Sequence, residues 1–186
     1  MRTEYLIQRE VEQVLDLLTF DNRLLARLLL HTGLRVGDAL RLRPEQLRPN
    51  FWITEQKTGK RRQVGIPEPL LSDLRAAAGA VWVFPGADPA KPRTRQALWK
   101  DVKRAARACR LTANAAPHSL RKVYAVDLLE RYGDIERVKR ALNHSGVEVT
   151  LIYAMADKRL RAKGQRRPAQ PAQGLRRGAV GAVRRY

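Results

Sequence analysis

Apolar residues fall at helical spacing twice over in the first thirty positions. Leu6, Val11, Val14, Leu15 and Leu18 form one set, and Leu24, Leu25, Leu28 and Leu29 form the next. The spacing predicts two opening helices that must bury these faces against something else, with Asp21-Asn22 as a capping break between them. Gly33 is placed to end the second helix in a left-handed conformation, and Val36 to Leu42 begins a further helix that Pro44 stops. Arg35 is thereby expected at a helix junction.

The pattern then changes. Phe51-Trp-Ile-Thr54 and Gln63-Val-Gly-Ile66 are short β-prone runs on either side of Lys57-Thr-Gly-Lys60, so a hairpin with Lys57 near its tip is expected. Val81-Trp-Val-Phe84 reads as a third short strand before the turn-rich stretch Pro85 to Pro92. Residues 94–110, 119–132, 134–142 and 146–156 read as helices, with breaks at Asn114 to Pro117 and at Gly133-Asp134. The expected fold class is mostly α with a small peripheral antiparallel β-sheet (α+β). No internal repeat is visible.

With 186 residues and 44% apolar composition, the chain can bury one core, and its length suits one domain plus an extension. Its formal charge of +19 points to a polyanionic partner, nucleic acid or an anionic membrane surface. Residues 158–186 carry ten Lys or Arg and no acid, which leaves 27 basic against 18 acidic residues before them. The body is therefore basic in its own right. Beyond Lys158 large apolar residues are scarce, so residues 158–186 are read as a disordered basic tail and residues 1–157 as the domain. No stretch is apolar for long enough to span a bilayer and the start lacks a signal-peptide core, so a cytoplasmic protein is expected, while composition leaves nucleic acid and a membrane surface both open as partners. Cys109 is the only cysteine, which excludes an intrachain disulfide and suits a small buried residue on a helix.

Six residues carry candidate chemistry: Arg35, Lys57, His118, Arg121, His144 and Tyr153. Taken singly, each has an ordinary reading. Arginine in so basic a chain is usually just exposed, a histidine after Pro117 can cap a helix, and Tyr153 beside Val149 and Ile152 can be an interfacial aromatic.

Their order and local context resemble the tyrosine recombinase, or phage integrase, family over about residues 5–157. Leu30-His-Thr-Gly-Leu-Arg35-Val-Gly-Asp38 is similar to its first arginine motif, Gln56-Lys57-Thr-Gly to its hairpin lysine, and Pro117-His118-Ser-Leu-Arg121 to its second box. Ala141-Leu-Asn143-His144-Ser and the nine-residue step to Tyr153 are similar to its third. The chain departs from the pattern at Asn143, where the family usually has Gly; Asn tolerates left-handed backbone, so the turn should survive. Tyr124, Tyr132 and Tyr186 are rival phenols, but two follow Arg121 on one helix and the last ends the tail.

The resemblance implies the tyrosine recombinase catalytic-domain fold and a site-specific DNA recombinase or integrase. Tyr153 would attack a phosphodiester to form a 3′-phosphotyrosyl link. Arg35 and Arg121 would hold the non-bridging oxygens, His118 would take the phenol proton, His144 would donate a hydrogen bond to the phosphoryl group, and Lys57 would protonate the departing 5′-oxygen. Asp38 would orient the arginine side chains. Neither metal nor cofactor is implied, since arginines supply the charge. The implied partners are double-stranded DNA and a homotetramer on two recombining sites, with room for accessory DNA-bending proteins, a nucleoid-associated location and no membrane contact. An amino-terminal DNA-clamping domain, common in the family, is not expected here. Two other readings keep the same residues: a non-catalytic DNA-binding protein on this fold, and a nicking and closing enzyme resembling type IB topoisomerases.

Overall fold

Both opening helices form, but the break between them comes earlier than Asp21-Asn22: α1 is Gln8–Leu17 and α2 is Phe20–Thr32, with Thr19 as the N-cap. In this computed structural model, which describes residues 3–142, the cap is supplied from a distance. Asp101 accepts hydrogen bonds from the Thr19 amide at 3.0 Å, the Thr19 hydroxyl at 2.9 Å and the Asn22 side chain at 2.8 Å. A carboxylate at the start of a helix satisfies amides that have no partner inside it and complements the positive end of the helix dipole. Asp21 falls inside the first turn and pairs with Arg93.

Gly33 ends α2 with φ +60, as its position predicts, and α3 follows as a single turn, Val36–Ala39. The ring of Tyr124 lies where a side chain on Gly33 would stand, so glycine is required there for space as well as for backbone conformation. β1 (Asn50–Thr54) and β2 (Arg61–Gly65) form the expected antiparallel hairpin, in register Ile53↔Arg62.

No third strand forms among the described residues. In the run Val81 to Phe84, Val83 donates to the Leu42 carbonyl and Phe84 accepts from Arg93, with only an isolated bridge between Pro85 and Pro92. The backbone groups that a strand would pair with the hairpin are already taken by loops, while Val83 and Phe84 are buried as core side chains. The sheet is two-stranded.

Helix α4 (Glu68–Ala77) lies in a segment to which the sequence reading assigned no element; it buries Leu70, Leu71 and Leu74 against α2. Then come α5 (Arg95–Ala108), α6 (Pro117–Tyr132) and α7 (Ile135–Leu142). α6 starts two residues before the expected boundary because Pro117 suits the first helical position and Ser119 accepts from the Ala116 amide. Cys109 is the C-cap of α5, half-buried, with its thiol on the Gln13 carbonyl.

α2 is the central helix, packed on α6, α4 and α1, and α1 also packs on α5. α7 is attached differently, for only Val138 and Leu142 of its residues are buried, against α6. Two such side chains contribute about 4 kcal/mol, less than the roughly 8 kcal/mol or more that ordering eight backbone residues costs. Polar contacts are needed to hold its end. No helix among the described residues is long and apolar enough to cross a membrane. The helix expected at 146–156, His144, Tyr153 and the basic tail lie outside the described residues.

Candidate active site

Four of the six candidate residues line one cleft of about 510 Å³. They come from three separate parts of the chain. Arg35 is the N-cap of α3, Lys57 stands in the hairpin tip between β1 and β2, and His118 and Arg121 lie one turn apart at the start of α6. Asp38, Gln56 and Arg95 complete the polar wall. Three arginines and a lysine therefore face one acid, an arrangement that attracts a phosphate and would disfavour a cationic or apolar ligand.

Each side chain is held differently. Lys57 and His118 are exposed, which leaves them accessible from solvent. Arg121 is buried, only 4% exposed, and spans two helix ends by donating to the carbonyls of Gly33 and, at 2.6 Å, Leu142. Those C-terminal carbonyls lack partners within their own helices and favour a cation. Arg35, half-buried at 23% exposure, donates to the carboxylate of Glu55, which has no solvent exposure at all.

Glu55 thus grips Arg35, the function that the sequence pattern assigned to Asp38. Asp38 is tied to the hairpin instead, its carboxylate accepting from the Gln56 amide at 3.1 Å. The reason is geometric: one turn past Arg35, Asp38 faces the hairpin backbone, while the inward end of β1 brings Glu55 under the guanidinium. Thr58 also donates to Glu55 at 3.0 Å, and Arg62 lies 3.8 Å from its other oxygen. Burial alone would raise the Glu55 carboxyl; the hydrogen bonds from Arg35 and Thr58 and the charges of Arg35 and Arg62 outweigh it and hold the group below the usual carboxylate range.

Glu55, Arg62 and Arg95 escaped the sequence reading. A signal for the first two existed. Phe51 and Ile53 point inward, and the two-residue period carries that face on to residue 55; across the hairpin, Val64 and Ile66 put Arg62 on the same inner face. Charged residues at buried hairpin positions need one another. Arg95 has no comparable signal, since its guanidinium comes beside Gly37, 58 positions away, only in the folded chain. Among the described residues no cluster of three or more His, Cys, Asp or Glu is arranged to hold a metal ion.

Known proteins show the same arrangement of sequence and fold. Residues 4–159 match the phage integrase family. The integrase of Escherichia phage P2 is 34% identical over 154 residues, covering 82% of this chain and 43% of that protein. Tyrosine recombinase XerD of Mycobacterium tuberculosis is 30% identical over 152 residues, covering 74% of this chain and 49% of its own length. The chain spans about half the length of these relatives. In fold, it resembles the lambda integrase dimer bound to a COC' core site, with a TM-score of 0.71, 18% identity and coverage of 93% of this chain and 52% of that one. It also resembles the catalytic domain of bacteriophage HP1 integrase, with a TM-score of 0.64, 24% identity and coverage of 88% of this chain and 94% of that one. A mostly helical domain with a two-stranded sheet, a cationic cleft assembled from three distant segments and a sequence match across most of its length identify this chain as a member of the phage integrase family.

Proposed function

We propose that this chain is the catalytic domain of a site-specific tyrosine recombinase that cleaves and rejoins double-stranded DNA through Tyr153. The observation that supports it most is the meeting of Arg35, Lys57, His118 and Arg121 around one cleft. The phenolic oxygen of Tyr153 attacks a backbone phosphorus, its proton passes to His118, and the bond from phosphorus to the 5′-oxygen breaks. Lys57 gives that oxygen a proton. Arg35 and Arg121 bear the charge that gathers on the non-bridging oxygens, and His144 donates a hydrogen bond to one of them. A 5′-hydroxyl of the partner strand then attacks the 3′-phosphotyrosyl link and frees the phenol. One ester replaces another of similar energy, so no nucleotide hydrolysis is required.

Residues 1–157 form the catalytic unit in this reading and residues 158–186 a basic extension that strengthens binding through release of counterions. Exchange between two sites calls for four copies of the chain, and accessory DNA-bending proteins can help bring the sites together. The test is a nicked duplex from which the short released fragment, bearing the new 5′-hydroxyl, diffuses away. Wild-type protein is expected to accumulate a covalent adduct and Tyr153→Phe none. An adduct that survives in Tyr153→Phe refutes the assignment.

A further inference from the structure

Outside the cleft lies a further arginine that the reaction just described leaves unused. Arg62 is 9% exposed and is not among the residues lining the cleft. Its guanidinium nitrogens reach three separate parts of the fold. Nε lies 3.8 Å from Glu55, Nη2 donates to the Thr32 carbonyl at 2.6 Å at the end of α2, and Nη1 donates to the Ala141 carbonyl at the end of α7. Arg121 repeats this one residue further along, on Gly33 and Leu142. Two guanidiniums therefore tie the same pair of helix ends through consecutive carbonyls.

Such an arrangement suits arginine and no other side chain. Helix C-termini present unpaired carbonyls with partial negative charge, and a planar fork can serve two of them while its third nitrogen faces a carboxylate. Burial lowers the pKa of Arg62, and the charge of Glu55 acts against that shift. α7 has little else to fix its end, since Val138 and Leu142 are its buried residues. Leu142 stands two positions before His144 and eleven before Tyr153 in the sequence.

We infer that Arg62, anchored on Glu55, is a positioning residue for strand cleavage: it fixes the end of α7 against the end of α2, two residues before His144 and eleven before Tyr153 in the sequence. It touches no reacting atom, and the inference rests on the function proposed above. Arg121 secures the neighbouring carbonyls while also facing the phosphate, so Arg62 is the tether that can be altered without removing a cleft cation.

The test is Arg62→Lys in the full chain, because a single ammonium keeps the charge but cannot reach Glu55 and both carbonyls together. With saturating nicked duplex, the first-order rate of adduct formation is expected to fall by about tenfold or more, while the Kd for DNA stays within about twofold. Hydrogen exchange supplies a readout independent of turnover. Amides of α7 and of the residues up to His144 should exchange faster, with α1, α2 and α5 unchanged. Adduct formation as fast as wild type overturns the role of Arg62, and so does faster exchange spread evenly over the chain, which would mark a merely structural residue. Absence of an adduct from wild-type protein would instead take down the proposed function itself.

Discussion

Asp101 offers the cleanest measurement of what holds this fold together, because one carboxylate closes the start of a helix whose N-cap, Thr19, lies 82 residues away in sequence. Replacing it by asparagine keeps the shape and removes the charge. In the folded protein, burial pushes the carboxyl upward, but hydrogen bonds from Asn22, the Thr19 amide, Arg104 and the Thr19 hydroxyl outweigh it and bring the pKa from 3.8 down to about 2. A depressed carboxyl stabilises the folded state above its unfolded pKa, and that contribution is lost as pH falls toward the folded value. The difference of nearly two pH units corresponds to about 2.4 kcal/mol at pH 7, about 1.3 kcal/mol at pH 3 and about 0.4 kcal/mol at pH 2. Urea unfolding of wild type and Asp101→Asn across this range measures the gap directly. The expected result is a wild-type advantage of about 2 kcal/mol near neutrality that closes between pH 4 and pH 2. A gap that stays constant over this interval, or is absent at pH 7, refutes the account of Asp101 as the ionised cap of α2.

Three further outcomes follow from the same geometry. Gly33→Ala should lose about 2 kcal/mol or more, from left-handed strain plus collision with the Tyr124 ring; Gly133→Ala, with φ +65 but nothing within 4 Å, should lose only about 1 kcal/mol. Equal losses by thermal or urea unfolding would remove the packing argument for Gly33. Glu55→Gln takes away the buried partner of Arg35 and Arg62 and should destabilise the fold by about 3 kcal/mol at pH 7. Since the Glu55 pKa is lowered from 4.5, the wild-type advantage should shrink as pH drops below that value, and an advantage that grows in acid would contradict the assignment. Finally, adduct formation on nicked DNA should proceed unchanged in excess chelator, because guanidiniums supply the charge that a metal would otherwise provide; strict dependence on magnesium would count against the mechanism.

Much of the cleft was legible before any coordinates. Gly33 announced the turn that carries Arg35, the break between two β-prone runs placed Lys57 at a hairpin tip, and the proline before His118 marked the start of the helix that also holds Arg121. These are local signals, each confined to a few neighbouring residues. Asp38 shows their limit, since its spacing from Arg35 suggested a partner for the arginine while the folded chain turned it to the hairpin amide of Gln56. The run Val81 to Phe84 shows it again: β propensity was present, but its backbone bonds to Leu42 and Arg93 rather than to a strand.

Consecutive residues alone specify the two opening helices with their apolar faces, the position of the hairpin and the described later helices other than α4, because periodicity and breaks are local signals. Which groups meet the guanidiniums is settled by the packing of distant segments. Arg35 finds Glu55 across 20 positions, Arg62 finds Ala141 across 79 and Arg121 finds Gly33 across 88. A buried ion must be matched by whatever groups the packing of other helices brings to it, and that match depends on the whole fold rather than on any local pattern.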